Sequence, residues 1–202
     1  MNTTIISPEG NPRCRWCSTV PEFLPYHDKE WGFPVDDDIR LFEKICLESF
    51  QSGLSWRTIL AKRENFRAAF CGFDFHKMAA FTLADVERLL NNEGIIRHRG
   101  KIEAVINNAR CAVELVNKGG SLAAFIWRFE PKSGHDRVPQ TASTSPESIA
   151  LAKELKKLGW KFVGPATAFA FMQAMGLIND HVEGCYIRVE VNRARNEFIR
   201  PK

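Results

Sequence analysis

Apolar positions recur at helical spacing through most of the chain. In DDDIRLFEKICLESF, Ile39, Phe42, Ile45 and Cys46 share one face, and the acids before them suit a helix N-terminus. SGLSWRTILAKRENFRAAF predicts a second helix, with Ser55 as its cap. TLADVERLLNN opens on Thr82 with an acid three positions later, the spacing of a capping box. KIEAVINNARCAVELV, SLAAFIWRF, SPESIALAKELKKLG and PATAFAFMQAMGLI continue the pattern. No run alternates apolar and polar residues as a half-buried strand would. The pattern therefore predicts an all-α protein without internal repeats. The polar, turn-rich stretch across 130–146 breaks it and predicts a surface loop. Residues 1–202 read as one domain, with 1–12 and 189–202 expected as flexible tails.

Composition narrows the class. A chain of 202 residues with 45% hydrophobic content can bury a sizeable core. The net charge of +4 permits a polyanionic partner without requiring one. MNTTIISPEGNP lacks the pattern of a signal peptide, and no apolar run is long enough to span a bilayer. A cytoplasmic protein is expected, and its six cysteines then read as thiols or metal ligands rather than a disulfide framework.

Five residues could contribute to a four-coordinate metal site. RCRWCSTVPEFLPYHDKEWG offers Cys14, Cys17 and His27, and INDHVEGC offers His181 and Cys185. On a helix, His181 and Cys185 would stack one turn apart. Taken singly, each is as well explained as a buried small side chain. Neither HExxH nor the H-x-E with PCxxC of zinc deaminases occurs, which weakens a catalytic metal. A site joining residue 14 to residue 185 would tie the chain ends together, a structural task.

Other features remain open on residues alone. In LKKLGWKFVGPATAF one helix ends near Gly159 and another begins with Pro165 in its first turn. Free amides beside Gly164, with Lys156, Lys157 and Lys161 nearby, could hold a phosphate. An ordinary helical hairpin with a solvated basic face is the simpler reading of that pattern. Trp16, Tyr26, Trp31 and Trp56 read first as core aromatics, and Glu48 as part of a solvated face. QSGLS reads first as a plain turn between helices.

In order, YHDKEWG, CLESFQSGLSW, KRENFRAAF, GIIRHRGKI, KFVG and NDHVEGC resemble the DNA-3-methyladenine glycosylase I family of bacterial alkylation-repair enzymes. The likeness runs from about Arg13 to Cys185. It implies a helix-hairpin-helix glycosylase fold of two closely packed helical lobes. It implies a structural Zn2+ held by Cys14, His27, His181 and Cys185, which leaves Cys17 out. It assigns the catalytic position to Glu48, against the edge of the base, with Trp56 stacking and Trp16, Tyr26 and Trp31 lining the pocket. Gln51, Gly53 and Leu54 would wedge the duplex, and Lys161, Val163 and Gly164 would hold its backbone. The implied partner is double-stranded DNA carrying alkylated bases, the implied product is free 3-methyladenine, and a monomer is expected.

The resemblance also carries chemistry. N3-methylation makes adenine a cation that leaves as a neutral base, so aromatic faces and one carboxylate suffice to bind and orient it. Asn179 stands where many hairpin-motif glycosylases carry an aspartate, with Asp180 one residue on. No lysine is indicated as a Schiff-base nucleophile, so hydrolysis by base flipping without strand cleavage is expected. Phe23 replaces a tyrosine common in the family, which removes a hydroxyl from the pocket wall. Two other functions fit the residues. One is a zinc-stapled helical module that binds DNA without catalysis, and the other is a zinc hydrolase acting on small substrates.

Overall fold

The computed structural model describes residues 4–6, 10–132 and 138–202. A two-stranded antiparallel sheet opens the chain, with β1 (Thr4–Ile6) pairing to β2 (Pro12–Cys14) in the register Thr4 to Cys14. A 3-10 turn over Arg15–Ser18 leads into α1 (Phe23–Lys29). The long α2 (Asp38–Gln51) starts at Asp37, whose carboxylate accepts from the amide of Arg40. Next come α3 (Trp56–Ala61), α4 (Arg63–Ala69), α5 (Phe75–Ala79) and α6 (Leu83–Leu90). They are followed by α7 (Arg99–Asn117), α8 (Leu122–Trp127), α9 (Pro146–Lys157), α10 (Pro165–Ala174) and α11 (Tyr186–Glu197). Among the described residues, no helix is long and apolar enough to cross a membrane.

The centre of the molecule is α2. Every residue from Leu41 to Phe50 is buried, so the helix is covered on all sides rather than along one stripe. It packs on α10, α7, α8 and α3. Covering such a helix forces its charged residues Glu43, Lys44 and Glu48 out of water, so each needs a partner. One continuous apolar cluster joins α2 to the other helices.

Several expectations need correction. The single helix expected over residues 55–70 breaks at Lys62, where φ −99° and ψ 4° leave helical geometry and start α4. The N-terminal stretch is not wholly a tail, because β1 pairs with β2; residues 1–3 and 7–9 lie outside the described residues. Residues 189–202 are helical up to Glu197. Val191 is fully buried there, and Arg195 and Arg200 both bind the carboxylate of Glu130. The expected surface loop is partly docked: the Gln140 amide donates to Asp180 Oδ2 at 3.0 Å, while 133–137 lie outside the described residues.

Candidate active site and metal cluster

Cys14, His27, His181 and Cys185 meet in the interior, with one ligand atom from each lying within 4.8 Å of all the others. Cys14 comes from the end of β2, His27 from α1, and Cys185 from the residue that starts α11. His181 and Cys185 do not share a helix as their spacing suggested. A turn joins them, closed by the Cys185 amide on Val182 O at 3.1 Å and made possible by Gly184 at φ +83°. Tetrahedral coordination with metal–sulfur and metal–nitrogen bonds of zinc length sets ligand atoms roughly 3.3–3.8 Å apart. The observed separations are 3.2 Å for the two imidazole nitrogens, 3.7 Å for Cys14 Sγ to His181 Nδ1, and 3.5 and 3.6 Å for Cys185 Sγ to His27 and His181. The four residues fit a metal ion.

The surroundings hold these donors in place. His181 Nε2 lies 2.9 Å from Trp31 O, and His27 Nδ1 lies 2.7 Å from Asp28 Oδ1, so each ring directs its other nitrogen into the cluster. Asp28 is itself bound by Arg13 and by the Tyr186 hydroxyl. Burial opposes its charge, but those bonds and the one to His27 bring its carboxyl down to about 2. The Val182 amide and the Gln140 side chain donate to Cys14 Sγ at 3.4 and 3.3 Å. Burial disfavours charge on His27, yet contacts with Cys17, Cys185 and Asp28 outweigh it and raise the ring to about 10. Cys185 is pulled well below the ordinary thiol range by its contact with Cys14 and by the imidazoles, while that same contact and burial push Cys14 up. A bound cation would favour the thiolate form of both cysteines. Cys17 lies beside His27 but outside the four, and its thiol donates to Cys14 O at 3.0 Å.

An aromatic chain leads away from the cluster. Trp31 packs edge-on against His181, Trp16 against Trp31 at 5.1 Å, Tyr26 against Trp16 at 6.3 Å, and Trp56 against Tyr26 at 5.3 Å. Phe23 meets Trp16 at 5.7 Å, so the wall keeps its ring without the hydroxyl. An open pocket is lined by Tyr26, Lys44 and Trp56, with Glu30, Glu43 and Met175 around them. Trp16, Trp31 and Glu48 stand behind that lining. Glu48 is buried at 7% exposure, contrary to a solvated face. Its Oε1 lies 2.8 Å from Lys44 Nζ, which also donates to the Tyr26 hydroxyl at 2.7 Å and sits 3.5 Å from the centre of the Trp56 ring. Burial lowers Lys44 below the usual lysine range against the opposing pull of Glu48. The indole N–H of Trp56 is buried and finds no partner among the described residues.

Two exposed elements flank this interior. Gln51 ends α2, Gly53 takes φ +79°, and Leu54 presents an apolar tip at 41% exposure. Lys101 on α7 fixes that loop from beneath, donating to Phe50 O at 2.9 Å and Ser52 O at 2.5 Å. The second element is the turn between α9 and α10, where Lys161 and Gly164 are exposed and Val163 is half-buried. Gly164 precedes Pro165 and offers no side-chain cap, so the first amides of α10 have no side-chain partner. Asn108, also on α7, grips the turn at both polar atoms. Its Oδ1 accepts from the Lys161 amide at 2.8 Å, and its Nδ2 donates to Lys161 O at 2.9 Å.

The family model for methyladenine glycosylase matches residues 16–189. The chain belongs to the methyladenine glycosylase family. It is 50% identical over 177 residues to the DNA-3-methyladenine glycosylase 1 of Escherichia coli strain K12, covering 86% of this chain and 95% of that one. A crystal structure of a 3-methyladenine DNA glycosylase I superposes with a TM-score of 0.80 at 50% identity, over 86% of this chain and 98% of the other. Another, of a variant of a different 3-methyladenine DNA glycosylase I in complex with 3-methyladenine, superposes with a TM-score of 0.81 at 35% identity, over 87% and 97%.

Within the family frame, two features of this chain escaped the reading of its residues. Lys44 stands in the pocket, although no lysine was indicated there; its spacing of four from Glu48 along an otherwise apolar helix was the available signal. Gln140, in a segment expected to be plain surface loop, reaches a cluster cysteine, and nothing local in the sequence points to that. Asn179 and Asp180 are both engaged elsewhere: Asn179 donates to Arg188 O and Asn192, and Asp180 accepts from Gln140 and Gln173.

Proposed function

We propose that this protein is a monofunctional DNA glycosylase that removes N3-methyladenine from double-stranded DNA. Its relatives carry that activity in their names, and one solved relative is described in complex with 3-methyladenine. The observation that carries the reading in this chain is Glu48, a buried carboxylate paired with Lys44, whose ammonium contacts the Tyr26 hydroxyl and the Trp56 ring. A flat cation is stabilised by an aromatic face and by a carboxylate that accepts from its amino edge. These are the groups present.

The duplex would be gripped through its backbone at the α9–α10 turn, a helix-hairpin-helix, with Lys161, Val163 and Gly164 at the phosphates. Leu54, carried by Gln51 and Gly53, would fill the space left when the nucleotide rotates out. Glu48 then orients the base, and Trp56 holds its charge. The bond to the sugar is already weakened by that charge, so placement and binding of the departing base supply most of the acceleration. Asn179 and Asp180 are engaged with other residues, so no catalytic step is assigned to them.

Cys14, His27, His181 and Cys185 are read as holding one structural Zn2+. The four donors form a closed set with no position left for water or substrate, which argues against zinc hydrolysis. When bound, the metal would join β2 and α1 to the turn before α11 and so stabilise the floor under Trp31 and Trp16. Chromatography of bases released from methylated duplex DNA tests the function: 3-methyladenine should appear, whereas a non-catalytic DNA-binding module would shift the mobility of the duplex and release nothing.

A further inference from the structure

Lys44 and Glu48 lie one turn apart on α2, and both are buried. Around Lys44 Nζ stand a carboxylate at 2.8 Å, a phenol oxygen at 2.7 Å and an indole face at 3.5 Å. Carboxylate, phenol and aromatic face together make a cage for a cation. They are also the groups assigned above to the methylated base, and the inference rests on that assignment. A ring stacked on Trp56 needs carbon–carbon contact at about 3.5–4.0 Å, the layer the ammonium already fills. A base that reaches Glu48 while stacked on that ring must therefore enter the volume of Nζ.

We propose that Lys44 is a placeholder cation: in the base-free protein its ammonium holds the seat of the methylated base, and the base enters by displacing it. The direction of exit is given by the pocket. Lys44 lines it together with the carboxylates of Glu30 and Glu43, which are paired with Arg63 and Arg67. Moving into that opening restores hydration to an ammonium that burial disfavours. Every base that binds must break the Lys44–Glu48 pair. A cationic base replaces it with a new pair to the same carboxylate. Neutral adenine supplies no replacement charge, so for undamaged bases the cost stands. Lys44 thus sets a threshold that a methylated base passes and an ordinary base does not.

Two measurements test this. The first needs no variant: acetylation of lysines by an N-hydroxysuccinimide ester, mapped by mass spectrometry with and without saturating 3,9-dimethyladeninium, whose N9-methyl stands for the sugar and keeps the ring cationic. Lys44 should become several-fold more reactive when the base is present, while Lys101, buried under the Leu54 loop, should not change. The second is binding of cationic 3,9-dimethyladeninium and neutral 9-methyladenine to Lys44→Met. Both should bind on the order of tenfold tighter than to the native protein, the gain from removing one competing charged hydrogen bond. If Lys44 stays protected with base bound and Lys44→Met gains no affinity, the placeholder is wrong. Trp56→Ala separates that failure from a failure of the underlying site. If Trp56→Ala binds 3,9-dimethyladeninium as well as the native protein, the base does not sit here at all, and the placeholder falls with it.

Discussion

His27 Nε2 and His181 Nδ1 lie 3.2 Å apart although 154 residues separate them in the chain. Two imidazoles brought so close gain little from each other unless something sits between them. With Cys14 and Cys185 beside them, a bound metal ion would supply the missing attraction. The purified protein is therefore expected to carry about one zinc per chain, a ratio that follows from one closed tetrahedral set. Removing a ligand, as in His181→Ala, should cost on the order of 3 kcal/mol, or a Tm fall of about 6–12 °C in a domain of this size. Cys17→Ala should keep its metal, because that thiol lies outside the four. Metal analysis and thermal melting check both, and native stability in a fully metal-free protein would contradict the assignment.

Asp28 fixes the tautomer and direction of His27 while held by Arg13 and Tyr186. Asp28→Ala should weaken zinc retention by about 10–100-fold, the usual effect of losing such a support. Competition against a chelator of known affinity reads this directly. Unchanged retention would mean that the ring is oriented by packing alone.

The turn between α9 and α10 is held by Asn108 and carries Lys161. Lys161→Ala should weaken binding to every duplex alike and lower the slope of log affinity against log salt by about one phosphate contact. Asn108→Ala removes two hydrogen bonds from the turn and should reduce duplex affinity, leaving binding of free 3-methyladenine unchanged. Salt titrations of duplex binding separate the two effects. An affinity indifferent to both changes would move the DNA interface elsewhere.

Lys44 raises a chemical question, since a buried amine in a glycosylase pocket could attack the sugar. Its ammonium is paired with Glu48 and bonded to Tyr26, which removes its lone pair from use. Borohydride treatment during turnover should therefore trap no protein–DNA adduct, and the strand should stay intact until exposed to alkali. A trapped adduct that disappears in Lys44→Met would make the enzyme bifunctional.

Much of this was legible in the sequence, for identifiable reasons. Helices with their own caps announced themselves: Thr82 with Asp85 before α6, and Ser55 before α3, are local signals that the fold keeps. The two ends of the chain were misread because their order comes from distant partners. Glu130 anchors the C-terminal arginines, and β2 anchors β1, neither of which leaves a local pattern. Residue spacing named the cluster donors only as a set of five, and the family resemblance reduced them to the four that converge. The turn between His181 and Cys185 was mistaken for a helix because i,i+4 spacing does not distinguish the two. Glu48 looked solvated because α2 was taken to have an outer face, and it has none. Lys44 went unnoticed for the same reason.

The role of Glu48 as the group that orients the base is tested most directly by base release from methylated duplex DNA under single-turnover conditions, comparing native protein with Glu48→Gln. Glutamine keeps the size but sets a donor against the amino edge of the base, leaving a buried pair unsatisfied at about 1–3 kcal/mol. Excision of 3-methyladenine should fall roughly tenfold to a hundredfold. Affinity for undamaged duplex should stay unchanged, because the proposed backbone contacts, at the turn held by Asn108, do not involve Glu48. Excision at the native rate by Glu48→Gln, with zinc and fold intact, would contradict the assignment and place the chemistry outside this pocket.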